Sequence, residues 1–144
     1  MLIGKIKRTD RVHARILRID TTEAKALPGV HAVVTAAATP KIGIGVNKDN
    51  PPLKGDKVRC IRDEIAAVAA ESEEICDKAI GLIKVEYEDL PAVFACKEAL
   101  KDNAPQIHDD KPNNIGLSYE FKHGDIDAGE AEACLLYTSD AADE

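Results

Sequence analysis

The side chains with chemistry to offer in this 144-residue sequence are four histidines, four cysteines and several acidic clusters. His13 and Arg15 share one face at the start of a strand-like run. Such a pair can hold an anion, and more simply it bonds a neighbouring strand. His108, Asp109, Asp110 and, further on, His123 are borderline and hard metal ligands. No helical or tight-turn spacing aligns them, and a solvated loop accounts for them better. Gly43-Ile44-Gly45 lacks the third glycine and the strand-to-helix setting of a dinucleotide cradle. Cys60 stands between Arg59 and Arg62, and neighbouring cations lower a thiol pKa, so it is the candidate reactive thiol. Glu86, Glu88 and Asp89 read as a solvated strand face that deters edge pairing. There is no P-loop, no G-x-S-x-G and no Ser/His/Asp set with supporting context. No catalytic, cofactor-binding or metal-binding residue is expected in this chain.

The cysteines Cys60, Cys76, Cys96 and Cys134 are widely spaced, with no C-x-x-C pair. Zinc and iron–sulfur sites use close pairs, so both are disfavoured. The N-terminus lacks the long apolar stretch of a secretory signal, which points to free thiols in the cytoplasm. A net charge of −7 argues against nucleic acid as a partner. No apolar run approaches the ~20 residues of a membrane span. Hydrophobic residues make up 44% but aromatics only 3%, so the core must come from Ile, Val, Leu and Ala.

The last eleven residues, Cys134–Glu144, back-translate to a string that resembles a transposon-end sequencing adapter. The native domain is therefore expected to occupy residues 1–133, with residues 134–144 a translated adapter. Without the tail acids Asp140, Asp143 and Glu144 the net charge becomes −4.

The positioning elements follow from periodicity. Alternation predicts strands at Leu2–Lys7 and Ala14–Ile19. Asp20 with Glu23 three residues on predicts a capping box for a short helix, which Pro28-Gly29 ends. Val30–Thr35 is β-branched and completes a strand–helix–strand unit. Thr39–Gly55 is rich in Pro and Gly, and loops of that length are usually functional. Lys57–Cys60 and Ile65–Ala70 are the next strands. The second is nearly all apolar, as for a strand buried on both faces. Ser72 should cap the main helix, whose apolar stripe is Ile75, Cys76, Ala79, Ile80 and Ile83. A strand at Lys84–Glu88 turns Val85 and Tyr87 inward. A short helix at Ala95–Lys101 and a last strand with Leu117, Tyr119 and Phe121 on one face complete an α+β domain.

Three blocks then carry a resemblance. The first is Val12-His13-Ala14-Arg15-Ile16, Ile19-Asp20-Thr21, Ala26-Leu27-Pro28-Gly29-Val30 and Ala32-Val33. The second is Val58-Arg59 and Asp63 to Glu71, continuing to Val85-Glu86-Tyr87-Glu88-Asp89-Leu90-Pro91-Ala92-Val93. The third is Pro105-Gln106-Ile107-His108 and Gly124-Asp125-Ile126. In order and spacing they resemble the start of the molybdopterin-binding large subunit of molybdenum hydroxylases, the family of xanthine dehydrogenase and aldehyde oxidase. The stretch from Thr39-Pro40 to Leu53 looks more like the 4-hydroxybenzoyl-CoA reductase branch.

The resemblance implies an α/β hammerhead domain, a mixed sheet with one main helix and short helices. It implies an N-terminal fragment of an oxidoreductase acting on aldehydes, purines or aromatic thioesters, cut at both ends and inactive alone. The parent enzyme would carry molybdopterin, with iron–sulfur clusters and FAD on partner subunits or domains. The partners implied are the remaining domains of the same subunit and those iron–sulfur and FAD subunits. The family usually has glycine where Arg62 stands, and its Ser-Pro-His-Ala-His-Ala is reduced here to Asp10-Arg11-Val12-His13-Ala14. The other class of function open to the sequence is a free-standing interaction module, binding a partner through the Thr39–Gly55 loop.

Overall fold

The computed structural model describes residues 1–135 and 137. Leu136 and residues 138–144, most of the adapter-like tail, lie outside the described residues. The strands are β1 (Ile3–Arg8), β2 (Ala14–Asp20), β3 (Val30–Thr35), β4 (Lys57–Val58), β5 (Glu64–Ala70) and β6 (Lys84–Asp89). The helices are α1 (Thr22–Ala26), α2 (Glu73–Leu82), α3 (Cys96–Ala99) and α4 (Ile126–Glu132), with 3₁₀ turns at Ala36–Ala38 and Pro112–Asn114.

The α+β class holds. The strands form two three-stranded sheets, β1-β5-β3 and β4-β2-β6, antiparallel at every pairing, in place of the one mixed sheet that the resemblance implies. The β2–α1–β3 unit therefore crosses from one sheet to the other. Its two strands never pair, because β5 takes β3 while β6 takes β2.

Strand β5 is the centre of the first sheet. Ala70 faces both Ile3 and Val30, and Val68 faces both Lys5 and Val33. Ala66, Val68 and Ala70 are buried beneath Cys76, Ala79 and Ile83 of the α2 segment. Ala67 and Ala69 differ: Ala67 and Ala69 are only half-buried, so the strand is not sealed on both sides. The small alanines let the helix backbone come close, which suits an aromatic-poor core. A second cluster joins Ala14, Ile16, Val58 and Ile65, and Ile19 and Val85 pack against both clusters.

Local chemistry sets the boundaries. Ser72 Oγ accepts the Ile75 amide at 3.3 Å, which starts α2 where the sequence requires. The capping box at Asp20 does not form. Asp20 Oδ1 accepts the Thr22 amide at 3.0 Å, but Thr21 is the cap residue, and Glu23 turns away to pair with Lys84. The Thr22 backbone bond holds the Asp20 carboxyl below its ordinary range. Strand β4 ends at Val58, short of Cys60, because Asp63 Oδ2 takes the Arg59 and Cys60 amides at 2.8 and 3.2 Å. Those donors are lost to any ladder. Residues 117–121 form no ladder, since no strand among the described residues pairs with them. Helix α4 has no counterpart among the elements that periodicity predicts. Its signal is Asp125, whose side chain accepts the Ala128 amide at 3.0 Å, but the helix buries no stripe that periodicity could reveal.

Candidate functional site

The most connected surface feature is a turn, Cys60–Asp63, closed by the Asp63 amide on the Cys60 carbonyl at 3.2 Å. Arg62 sits at its third position with φ +75°, the left-handed region that favours glycine. The position where the resemblance implies glycine is thus one where glycine is the unstrained choice. The turn is stitched to the buried Thr9 in both directions: Thr9 donates to Asp63 O at 3.0 Å and accepts from the Arg62 amide at 3.1 Å.

The long loop comes down onto this turn. Leu53 and Lys54 are buried, and Lys54 is 4% exposed. Its ammonium donates to Glu64 Oε2 at 3.1 Å and Pro51 O at 3.2 Å, and lies 3.6 Å from Asp63 Oδ1. Its backbone amide donates to Glu64 O at 2.7 Å. Sequence reasoning misses Lys54. A lysine in a Pro- and Gly-rich loop reads as solvated, and only the apolar Leu53 beside it hints at anchoring.

Between loop and turn lies an open cleft of about 610 Å³, lined by Asn50, Cys60, Arg62 and His108 among others. A smaller cleft of about 300 Å³ adjoins it, with His13, Cys60, Ile61 and Phe94 in its walls. His13 is 4% exposed, and its Nδ1 donates to Pro91 O at 2.6 Å. Nε2 is buried without a partner. Arg15 points elsewhere and pairs with Glu88 at 2.8 Å across the β2–β6 ladder. The two residues bond neighbouring strand and loop and do not form an anion site together.

The remaining candidates are dispersed. His108 lies 3.8 Å from Asp49, Asp109 accepts from Lys57 at 2.8 Å, and His123 stacks edge-on against Phe121. The Lys57 hydrogen bond holds the Asp109 carboxyl below its ordinary range. Among the described residues no group of three or more His, Cys, Asp or Glu is placed to hold a metal. The Gly43-Ile44-Gly45 turn is filled by its own chain. The Ile44 amide donates to Asn50 O at 2.9 Å, and any Cβ at Gly43 would collide with the Lys48 carbonyl. That turn leaves no room for a phosphate. Cys60 is exposed, but its neighbour Arg59 donates to Ile107 O at 3.3 Å, which ties the turn to the chain beyond Pro105. Of the acidic face on β6, Glu88 and Asp89 meet Arg15 and Arg11. Among the described residues the cysteines lie apart from one another and form no cluster of metal ligands.

The family description "Aldehyde oxidase and xanthine dehydrogenase, a/b hammerhead domain" matches residues 1–91. This chain belongs to that family. The hammerhead match spans the two sheets and α2. The chain is 42% identical over 132 residues to a probable xanthine dehydrogenase subunit of Bacillus subtilis (strain 168), covering 90% of this chain and 17% of that one. It is 39% identical over 131 residues to the "Nicotinate dehydrogenase large molybdopterin subunit" of Eubacterium barkeri, covering 89% and 30%. Among solved structures it resembles the Cu,Mo-CO dehydrogenase in its carbon monoxide reduced state, with a TM-score of 0.72 and 37% identity over 76% of this chain and 14% of that one. The hammerhead chain thus spans less than a third of the length of these relatives.

Proposed function

We propose that this chain is a structural domain of the large subunit of a molybdenum-dependent oxidoreductase, inactive alone. The observation that carries the reading is the match over 90% of this chain to only 17% of a xanthine dehydrogenase subunit, joined to dispersed donors at the candidate site. On this reading the molybdopterin is held by other domains of the subunit, and iron–sulfur clusters and FAD by partner subunits or domains. The role of residues 3–89 is then to present packing surface to the rest of the subunit in the cytoplasm. Four bonds fix that surface: Lys54 to Glu64, Asp63 to the Arg59 amide, Thr9 to Asp63, and Arg59 to Ile107.

The test is co-expression of the large subunit, with and without residues 3–89, alongside its partner subunits. The expected result is that deletion abolishes an assembled, molybdenum-containing complex. A deleted subunit that assembles with full molybdenum and full activity would contradict the proposal.

A further inference from the structure

We propose that Leu117–Phe121 is a β-strand whose partner sheet lies in the remaining part of the large subunit, which buries Leu117, Tyr119 and Phe121. The inference rests on the large-subunit reading and adds a specific docking element to it.

The segment carries a period-two pattern with matching side-chain contacts. Lys122 Nζ lies 3.0 Å from Glu120 Oε1, and the Phe121 and His123 rings meet edge to face with centroids 6.2 Å apart. Each pair is two residues apart, the spacing that an extended backbone brings to one face. As a strand, the segment places Ser118, Glu120 and Lys122 on one face and Leu117, Tyr119 and Phe121 on the other. The polar face is suited to water. The apolar face is not, because its three side chains are 76%, 80% and 73% exposed. Two of the five aromatic residues in the whole sequence stand on it, so solvent exposure here spends a scarce residue type. The same alternation in β6 buries Val85 and Tyr87 part-way once a partner strand is present.

The occupant follows from where the matches run. The hammerhead family match ends at residue 91, whereas the relatives match over 131 and 132 residues. The segment beyond the hammerhead therefore belongs to large subunits that contain far more chain than is present here. A lone extended segment with one apolar face is half of a sheet interface, and a sheet in the same polypeptide supplies the other half at high effective concentration.

The experiment is amide hydrogen exchange on the full-length large subunit in its assembled complex. Amides of residues 118–122 should exchange as slowly as those of β5. Exchange as fast as in loop residues 41–47, with β5 still protected, would overturn the proposal. Protection found only when the isolated chain self-associates would assign the strand to a second copy and overturn it as well. A paired variant test needs no exchange data. Tyr119→Asp should cut recovery of the assembled complex at least tenfold, while Ser118→Asp on the solvated face leaves it unchanged. Equal recovery of both variants would again overturn the strand. Molybdenum content of the wild-type complex is read separately, so failure of the enzyme reading is distinguished from failure of the strand.

Discussion

Lys54 Nζ lies 3.1 Å from Glu64 Oε2 and 3.6 Å from Asp63 Oδ1, in a lysine that is almost wholly buried. The bond holds the long loop against the start of β5. Replacing Lys54 with Met removes the buried cation and leaves Glu64 only Arg8, 3.9 Å away, and Asp63 only its backbone donors. The cost should be about 3 kcal/mol, read from the urea midpoint at constant m-value. An unchanged midpoint would show that the loop is held by Leu53 alone.

The same pair sets a pH dependence. Burial works to raise the Glu64 carboxyl, but the Lys54 hydrogen bond and nearby cations outweigh it and hold it below its ordinary value of 4.5. A carboxyl lowered in the folded state adds stability above its unfolded pKa and loses it as pH falls through the folded one. Stability should therefore drop as pH falls below about 4.5, with a shallower drop in Lys54→Met. Parallel pH profiles for the two proteins would contradict the pairing.

Two left-handed positions should respond in opposite directions. Arg62, at φ +75°, is strained, and Arg62→Gly should raise stability by about 1 kcal/mol. Gly29 has φ +84°, and a Cβ there would approach Ile75 Cδ1 to 2.7 Å. Gly29→Ala should lower stability by about 2 kcal/mol, since strain and contact act together. Thermal melts of the two variants beside the parent chain give both signs.

Thiol reactivity reports the core. Cys60, Cys96 and Cys134 are exposed, whereas Cys76 is buried with its Sγ 3.2 Å from Ile3 O. Alkylation of the native chain with iodoacetamide, read by mass, should modify three cysteines and spare Cys76 until denaturant is added. Early loss of Cys76 would mean that α2 does not seal β5.

Much of the first sheet is legible in the sequence because its signals are local. Ser72 with an apolar stripe gives α2, alternation gives β1, and the β-branched run gives β3. Division of the strands between two sheets is not legible, since pairing depends on which edges meet in space. Strand β4 stops short of its predicted end because the Asp63 side chain competes for backbone donors within the turn. The alternation at Leu117–Phe121 is real as a pattern, but a strand also needs a partner, and no described residue supplies one. At the candidate site, Lys54 is invisible to sequence reasoning because burial of a lysine is decided by an acid ten residues away. The dispersal of His108, Asp109 and His123 is legible from their spacing alone.

On the proposed reading this chain shapes a molybdenum enzyme without holding its cofactor. The most direct measurement is the molybdenum content and hydroxylase activity of the isolated chain, purified from cells that make the cofactor. The account predicts background molybdenum and no oxidation of aldehyde, purine or nicotinate. Stoichiometric molybdenum on the isolated chain would contradict it.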